Sequence, residues 1–232
     1  MTSPRLSSDE RRLAIMAVAV PLFATKGFDA LTTKEIADAA GVSEALLYRH
    51  FESKQALFMA VQDTCVAEAA AEARRLESLP DNTSTLVLAV YVLCGKIQNC
   101  MHADKAEHNE VPRLLMRSLL GDGEFARGFL AETSAAWVTK IETCVKAAIA
   151  AGDLDETFEA GCLGVWFAHH LSAAINFYAL PGRGKVVPYP IDEDDIFEKS
   201  VMFCLRGMGL KADAIARHYN PQAFALLRTS GS

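Results

Sequence analysis

The sequence lacks the patterns that mark secreted, disulfide-bonded and disordered proteins. There is no Cys-x-x-Cys pair, and no charged head followed by an apolar run stands at the amino terminus, so we expect reduced thiols and a cytoplasmic location. Hydrophobic residues make up 51% and charged residues 22% of the 232 positions, which excludes global disorder and predicts a folded chain. The six cysteines are Cys65, Cys94, Cys100, Cys144, Cys162 and Cys204.

Catalytic and metal-binding motifs are also missing. The sequence contains no G-x-S-x-G, H-E-x-x-H or phosphate-loop pattern, so we expect neither an enzyme nor a cofactor. Cys100, His102 and His108, with Cys94, offer a metal or redox sensor as an alternative, but their spacing is not that of a tetrahedral site. His169 and His170 are adjacent and would point about 100° apart on a helix, which argues against a shared metal.

The sequence has no excess of positive charge. The net charge is −6, which argues against a protein that coats nucleic acid. Residues 1–60 carry seven basic and seven acidic residues and are neutral, so the whole negative charge belongs to the remainder. A local nucleic-acid site near the amino terminus is compatible with this distribution.

One long segment, residues 160–182, contains no Asp, Glu, Lys or Arg. Its length could span a bilayer. However, His169, His170, Ser172 and Asn176 would be costly inside a membrane. We therefore interpret the segment as a buried helix that needs cover on all sides, and expect no membrane partner.

The pattern along the chain predicts helices throughout and no strand. Residues 1–8 read as a disordered tail, and the first helix would run from Asp9 to Lys26 with a bend at Pro21. A capping box at Thr32 and a stop at Gly41 delimit the second helix. Serine caps predict a third helix at 44–50 and a fourth from 54 to about 79. Further helices are predicted near 84–102, 109–120, 123–151, 155–179, 192–210 and 212–228, with a loop at 181–190.

Residues 32–51 have the pattern of a helix-turn-helix, since two short helices flank the turn at Gly41. Ala37 is small where the helices approach. Apolar residues are placed to close the angle between the helices, while another set faces outward toward a partner. The closing residues are Ile36, Ala40, Val42 and Leu47; the outward ones are Glu44, Ala45, Tyr48 and Arg49.

The stretch from Arg12 to Val61 resembles the TetR family of transcriptional regulators. The resemblance rests on Phe-Ala-x-x-Gly, Thr-x-x-x-Ile-Ala, Ala-Gly-Val-Ser, Leu-Tyr-x-His-Phe and Ser-Lys at consistent spacing. It implies an all-α protein with a three-helix DNA-binding domain at 9–57 and a helical effector-binding and dimerisation domain at 58–232. It further implies a homodimer on double-stranded operator DNA, typically a repressor that a small-molecule effector releases.

The resemblance also places the third helix in the major groove, and the residue chemistry agrees with it. The candidates for phosphate contacts are Thr33, Tyr48, His50 and Lys54. Those for base-edge or groove contacts are Lys34, Glu44, Ala45 and Arg49. Glu44 could accept a hydrogen bond from cytosine or remain solvated. Two such units spaced by about 34–36 Å or a multiple would supply specificity, with an affinity that falls as salt rises.

The larger body offers candidates for the dimer face and for an effector pocket. The uncharged helix and the helix near 192–210 would form the dimer face, with Phe167, Ile175, Phe197, Val201 and Leu205. A pocket would be lined by Tyr91, Met101, Met116, Phe129, Trp137, Trp166, His169 and His170, although ordinary core roles explain these residues as well. Alternatives are an activator, a regulator controlled by another protein, or a helical small-molecule-binding protein without a DNA role.

Overall fold

The computed structural model describes residues 6–98, 110–155, 161–180 and 186–229. Within these ranges the chain forms eleven helices and no strand, apart from an isolated bridge between Leu154 and Leu210. The predicted all-α fold is thereby confirmed. The helices are α1 (Ser8–Lys26), α2 (Thr33–Ala39), α3 (Glu44–His50), α4 (Lys54–Glu77), α5 (Thr83–Ile97), α6 (Glu110–Leu120), α7 (Glu124–Ala150), α8 (Gly161–Ala179), α9 (Glu193–Gly207), α10 (Ala212–His218) and α11 (Pro221–Thr229).

The described chain forms two compact units. The first comprises the residues up to 69 together with 113–130. Its core is aromatic: the ring of Phe58 lies 4.9 Å from Phe23, 5.2 Å from Phe28 and 5.6 Å from Phe125, measured between centroids. Such tilted pairs add to the apolar burial that holds α1, α4 and the start of α7 together.

Helix α1 begins earlier than the sequence predicted. Ser7 is the cap: its side chain accepts from the amide of Glu10, and the Glu10 carboxylate accepts from the amide of Ser7. The prediction of a tail at 1–8 is therefore wrong at residues 7 and 8, because Ser7 and Glu10 form a capping box that starts the helix there; residues 1–5 lie outside the described ranges. Pro21 lies inside a helix that continues to Lys26.

The second unit comprises residues 70–112 and 131–232, as far as they are described. Helix α5 packs against α8, α9 and α10, and most of its side chains are buried. Tyr91 of α5 contacts Phe197 of α9 at 5.0 Å and Phe224 of α11 at 5.0 Å between ring centroids. This all-round burial explains why α5 is apolar on every face.

Two predicted boundaries differ from the structure. Helix α4 runs through residue 57 without a break, and the compact first unit extends to residue 69 and also takes in residues 113–130. The single helix expected at 212–228 is two helices. Asn220 caps the second one by accepting from the amide of Ala223, and Pro221 suits its first turn because that position needs no N–H donor.

Candidate nucleic-acid interface

The turn between α2 and α3 is fixed by local hydrogen bonds. After Ala40, the Gly41 amide donates to Asp38 O at 3.2 Å and the Val42 amide donates to Ala37 O at 2.9 Å, the pair of bonds that closes a helix in the Schellman motif. Gly41 has a φ of +66°, which favours glycine. The chain is thereby redirected before Ser43 caps α3 through the Leu46 amide.

The inner and outer faces of this helix pair are clearly separated. Ile36 and Leu47 are fully buried, and Ala37 is 1% exposed where the helices meet. On the outer side Tyr48 is 48% exposed. The structure also exposes the four sequence-predicted groove residues, Lys34, Glu44, Ala45 and Arg49. A polar helix face is thus presented to solvent on a rigid base.

Three of the predicted DNA-binding residues form one hydrogen-bonded chain. The Tyr48 hydroxyl lies 3.3 Å from Thr33 Oγ1, and the Thr33 hydroxyl donates to a Glu44 carboxylate oxygen at 2.8 Å. The chain joins the start of α2 to both ends of α3. It orients the hydroxyl groups of Tyr48 and Thr33, which are expected to contact phosphate. In the absence of DNA, the hydrogen-bond acceptor at the end of the chain is the Glu44 carboxylate.

Lys54 has a structural role that the sequence analysis did not foresee. Its ammonium donates to Phe28 O at 2.7 Å and Leu31 O at 2.9 Å, and it lies 4.4 Å from the centroid of the Phe28 ring. These contacts anchor the loop between α1 and α2. Two of its three N–H donors are committed there, so a phosphate contact by Lys54 stays a prediction.

Two arginines outside the predicted site hold the domain together. Arg12 of α1 donates to His50 O at 2.7 Å and lies 4.3 Å over the Phe51 ring, which ties α1 to the end of α3. Arg117 donates through Nε to Ala24 O at 2.9 Å, and through Nη2 to Thr25 O. No sequence periodicity relates residues so far apart, so these contacts could not be predicted.

A third charged contact lies at the start of α2. The hydrogen bond from Lys26, at 2.5 Å, together with those from Thr32, lowers the pKa of Glu35 to about 2. The carboxylate is therefore ionised and engaged at neutral pH. It belongs to the cap of α2 and is paired with Lys26.

The predicted effector residues are divided between the two units. Met116 and Phe129 belong to the first unit, whereas the others that are described belong to the second; Met101 lies outside the described residues. Tyr91 and Trp137 are core residues, with Tyr91 fully buried and Trp137 8% exposed. Because aromatic residues at helical spacing commonly form cores, the sequence could not separate these roles.

Trp166, His169 and His170 do form an aromatic cluster on α8. The His169 ring lies 5.6 Å from Trp166 and 5.4 Å from His170 between centroids. Burial, with a smaller contribution from His170, lowers the pKa of His169 to about 4, so its ring is neutral at pH 7. Its Nδ1 is buried and has no hydrogen-bond partner among the described residues.

The predicted dimer residues divide between the core and the surface. Phe197, Val201 and Leu205 are fully buried within the core of the second unit, so their assignment to a surface between protomers is wrong: they belong to the core that their own protomer encloses. Phe167 is 61% exposed, and Ile175 is half-buried. Among residues 163–179 of α8, the exposed positions are Leu163, Phe167, His170, Ala174, Tyr178 and Ala179.

Other expected alternatives receive no support from the described part of the chain. Within it, no group of three or more His, Cys, Asp or Glu residues could hold a metal; Cys100, His102 and His108 lie outside it. None of the described helices combines the length and apolarity that crossing a membrane requires.

Comparison with known proteins agrees with the geometry of α2 and α3. Residues 15–61 match the family described as "Bacterial regulatory proteins, tetR family". The transcriptional activator FasR of Mycolicibacterium smegmatis is 40% identical over 87 residues, which are 37% of this chain and 40% of FasR. The transcriptional repressor KstR2 of Rhodococcus jostii is 45% identical over 47 residues, 20% of this chain and 23% of KstR2.

The matched segments thus span less than half of each of these two curated relatives. Over the longer range, the crystal structure of AibR in complex with isovaleryl coenzyme A and operator DNA has the same fold, with a TM-score of 0.62 and 19% identity, covering 84% of this chain and 97% of that one. The relatives are regulators of transcription and not enzymes, in agreement with the sequence-based expectation.

Proposed function

Because the chain belongs to the TetR family of transcriptional regulators, we propose that it acts as a homodimeric repressor that a small-molecule effector releases from operator DNA. The observation that carries the DNA-binding part is the exposed outer face of α3, where Tyr48 is 48% exposed beside Arg49 on a buried base. A helix of this kind reads base edges in the major groove while neighbouring hydroxyl groups contact phosphate. Such a protein acts in the cytoplasm, where bacterial DNA lies.

The experiment is selection from a random duplex library, followed by fluorescence anisotropy on the selected sequence. Tyr48→Phe removes one hydroxyl donor per protomer and should weaken binding about tenfold or more, since hydrogen bonds to charged groups contribute about 1.5–3 kcal/mol. Tyr189→Phe is the matched control, because Tyr189 is an exposed tyrosine of the second unit. Failure of the library to yield any salt-sensitive binding sequence would leave a helical small-molecule-binding protein as the better explanation.

For the dimer we propose the exposed face of α8 together with Phe203 of α9. Leu163, Phe167 and Tyr178 are 53%, 61% and 53% exposed, and Phe203 is 69% exposed. Their spacing on α8, at steps of three and four through His170 and Ala174, makes one continuous stripe. An uncharged helix with such a stripe fits the apolar centre of an obligate interface.

This dimer face is tested by sedimentation velocity. Phe167→Asp should shift the protein to monomer and abolish specific DNA binding, whereas Leu120→Asp, at a residue 81% exposed on α6, should leave both unchanged. A dimeric Phe167→Asp variant would exclude this face. Val201→Asp is unsuitable as a probe because it places a charge in the core of the protomer.

For the effector site we propose the surroundings of Trp166 and His169. The neutral His169 ring can use Nδ1 as a donor or an acceptor, and apolar sites of small ligands typically contain a few such polar groups. Acyl-coenzyme A thioesters are the first probes, since the AibR structure contains isovaleryl coenzyme A together with operator DNA. Quenching of Trp166 fluorescence that His169→Phe abolishes would support the site, and an unchanged response would move the effector elsewhere.

The sign of regulation separates this proposal from its alternative. FasR is named an activator and KstR2 a repressor, so an activator of the same architecture is the second candidate. A reporter placed behind the selected operator distinguishes them. Under repression, removal of the regulator raises reporter expression; under activation, removal lowers it.

A further inference from the structure

A cleft of about 370 Å³ lies between the start of α1 and the end of α3. A space of this size is many times the roughly 15 Å³ that one water requires. The α3 wall contributes Leu46, Arg49 and His50, and the α1 wall contributes Leu6, Ser7, Ser8 and Arg11. The walls therefore join two predicted DNA-binding residues to a segment that lies outside the helix-turn-helix.

The charge of this cleft fits an anion. Arg11 and Arg49 supply two guanidinium groups, His50 adds an imidazole, and no acidic side chain is among the described lining residues. Glu10, the carboxylate next to Arg11 in sequence, is engaged with the Ser7 amide at 2.7 Å. Arg11 and Arg49 thus line the cleft without an acidic residue of the lining to neutralise their charge.

The cleft is also held in shape before any ligand arrives. Arg12, the neighbour of Arg11, donates to His50 O at 2.7 Å and lies over the Phe51 ring. This contact ties α1 to the end of α3, the two elements that form the walls. A site that is held in place loses less freedom when it binds.

We propose that this cleft holds a backbone phosphate of the operator DNA, with Arg11 as a phosphate-binding residue additional to those of the helix-turn-helix. The proposal rests on the DNA-binding function proposed above. It extends the DNA footprint of each protomer from α2 and α3 to the start of α1. Contacts of this type position the protein on the duplex and carry no sequence information, so Arg11 acts on affinity at every sequence alike.

The test is a salt titration of DNA affinity with Arg11→Ala, Arg11→Lys and, as a control for net charge, Arg74→Ala at an exposed position of α4. Loss of one phosphate contact per protomer should lower the slope of log affinity against log salt by about 1.8 for a dimer, since each contact contributes about 0.9. Affinity should fall about tenfold or more for both specific and unrelated duplexes. Arg11→Lys should retain most of the slope, and Arg74→Ala should match the wild type.

Methylphosphonate substitution then identifies the ligand as DNA phosphate. At one position per half-site, removal of the phosphate charge should weaken DNA binding by the wild type about tenfold. The Arg11→Ala variant should bind the modified and the unmodified DNA equally well. An unchanged salt slope in Arg11→Ala, or the absence of any such position, would overturn the proposal. Inorganic phosphate can also be titrated at constant ionic strength. If it binds in the cleft without weakening DNA binding, the cleft is not part of the DNA interface. If the wild type binds no duplex at all, the proposed function itself fails.

Discussion

Burial of His169 makes the stability of the second unit depend on pH in a defined window. The pKa of this ring is about 4 in the folded protein against 6.5 for an ordinary histidine. The unfolded chain therefore binds a proton that the folded chain refuses, and stability falls as the pH is lowered from 6.5 toward 4. Between pH 7 and pH 5 the linked loss amounts to about 2 kcal/mol.

The assay is urea unfolding followed by tryptophan fluorescence at fixed protein concentration. Both tryptophans, Trp137 and Trp166, lie in the second unit, so the signal reports on the unit that contains His169. His169→Phe retains an aromatic ring next to Trp166 and should flatten the pH dependence by about 2 kcal/mol. His170→Phe, at the exposed neighbour, is the matched control and should leave most of it in place.

The carboxylates of Glu35 and Asp153 titrate below this window. Hydrogen bonds from Lys26 and Thr32 hold the pKa of Glu35 at about 2, and the hydrogen bond from Thr83 lowers the pKa of Asp153 below its ordinary 3.8. The contributions of these two carboxylates to the free energy of unfolding are present above their ordinary pKa values, 4.5 for Glu35 and 3.8 for Asp153. They are lost only as the pH falls below those values. Parallel curves for the wild type and His169→Phe between pH 5 and pH 7 would refute the assignment of the buried neutral ring.

Three further changes test the packing that supports the site. Gly41→Ala should lower the free energy of unfolding of the first unit by about 1 kcal/mol, because alanine must adopt the positive φ of +66°. Differential scanning calorimetry measures this loss, and an unchanged transition would contradict the turn geometry. Asp153→Asn should lower the free energy of unfolding of the second unit by about 2 kcal/mol, because it weakens the charge-assisted hydrogen bonds from Thr83 and Arg217. Unfolding followed by tryptophan fluorescence measures this loss. Equal stability would mean that hydrogen bonds to water replace these two bonds at no cost. Arg117→Ala leaves the Ala24 carbonyl without this donor, so amide exchange at the end of α1 should accelerate about tenfold, and unaltered protection would exclude this anchoring role.

Sequence patterns predicted the amino-terminal part of the fold closely because its signals are local. The capping box at Thr32, the turn at Gly41 and the caps at Ser43 and Ser53 all involve residues a few positions apart, and each is present in the structure. The same kind of signal at Ser7 was available in the sequence and was missed.

Long-range contacts set the limit of prediction. The sequence shows that Phe197, Val201 and Leu205 are apolar, but not that the core of their own protomer, rather than a second protomer, covers them. Likewise the engagement of Lys54 by Phe28 O and Leu31 O depends on the path of a loop. Helical periodicity identifies an apolar face and leaves its neighbour undetermined.

The hydrogen-bonded chain from Tyr48 through Thr33 to Glu44 has a consequence for selectivity. A DNA phosphate that accepts hydrogen bonds from these hydroxyl groups must replace the Glu44 carboxylate that accepts from Thr33. These hydroxyl groups therefore add little to the binding free energy of random-sequence duplex. The exchange becomes favourable where the displaced carboxylate finds a new donor, such as the amino group of a cytosine. Glu44 would then weaken binding to random DNA by competing with phosphate for these donors. Glu44→Gln should therefore lower the ratio of operator affinity to random-sequence affinity.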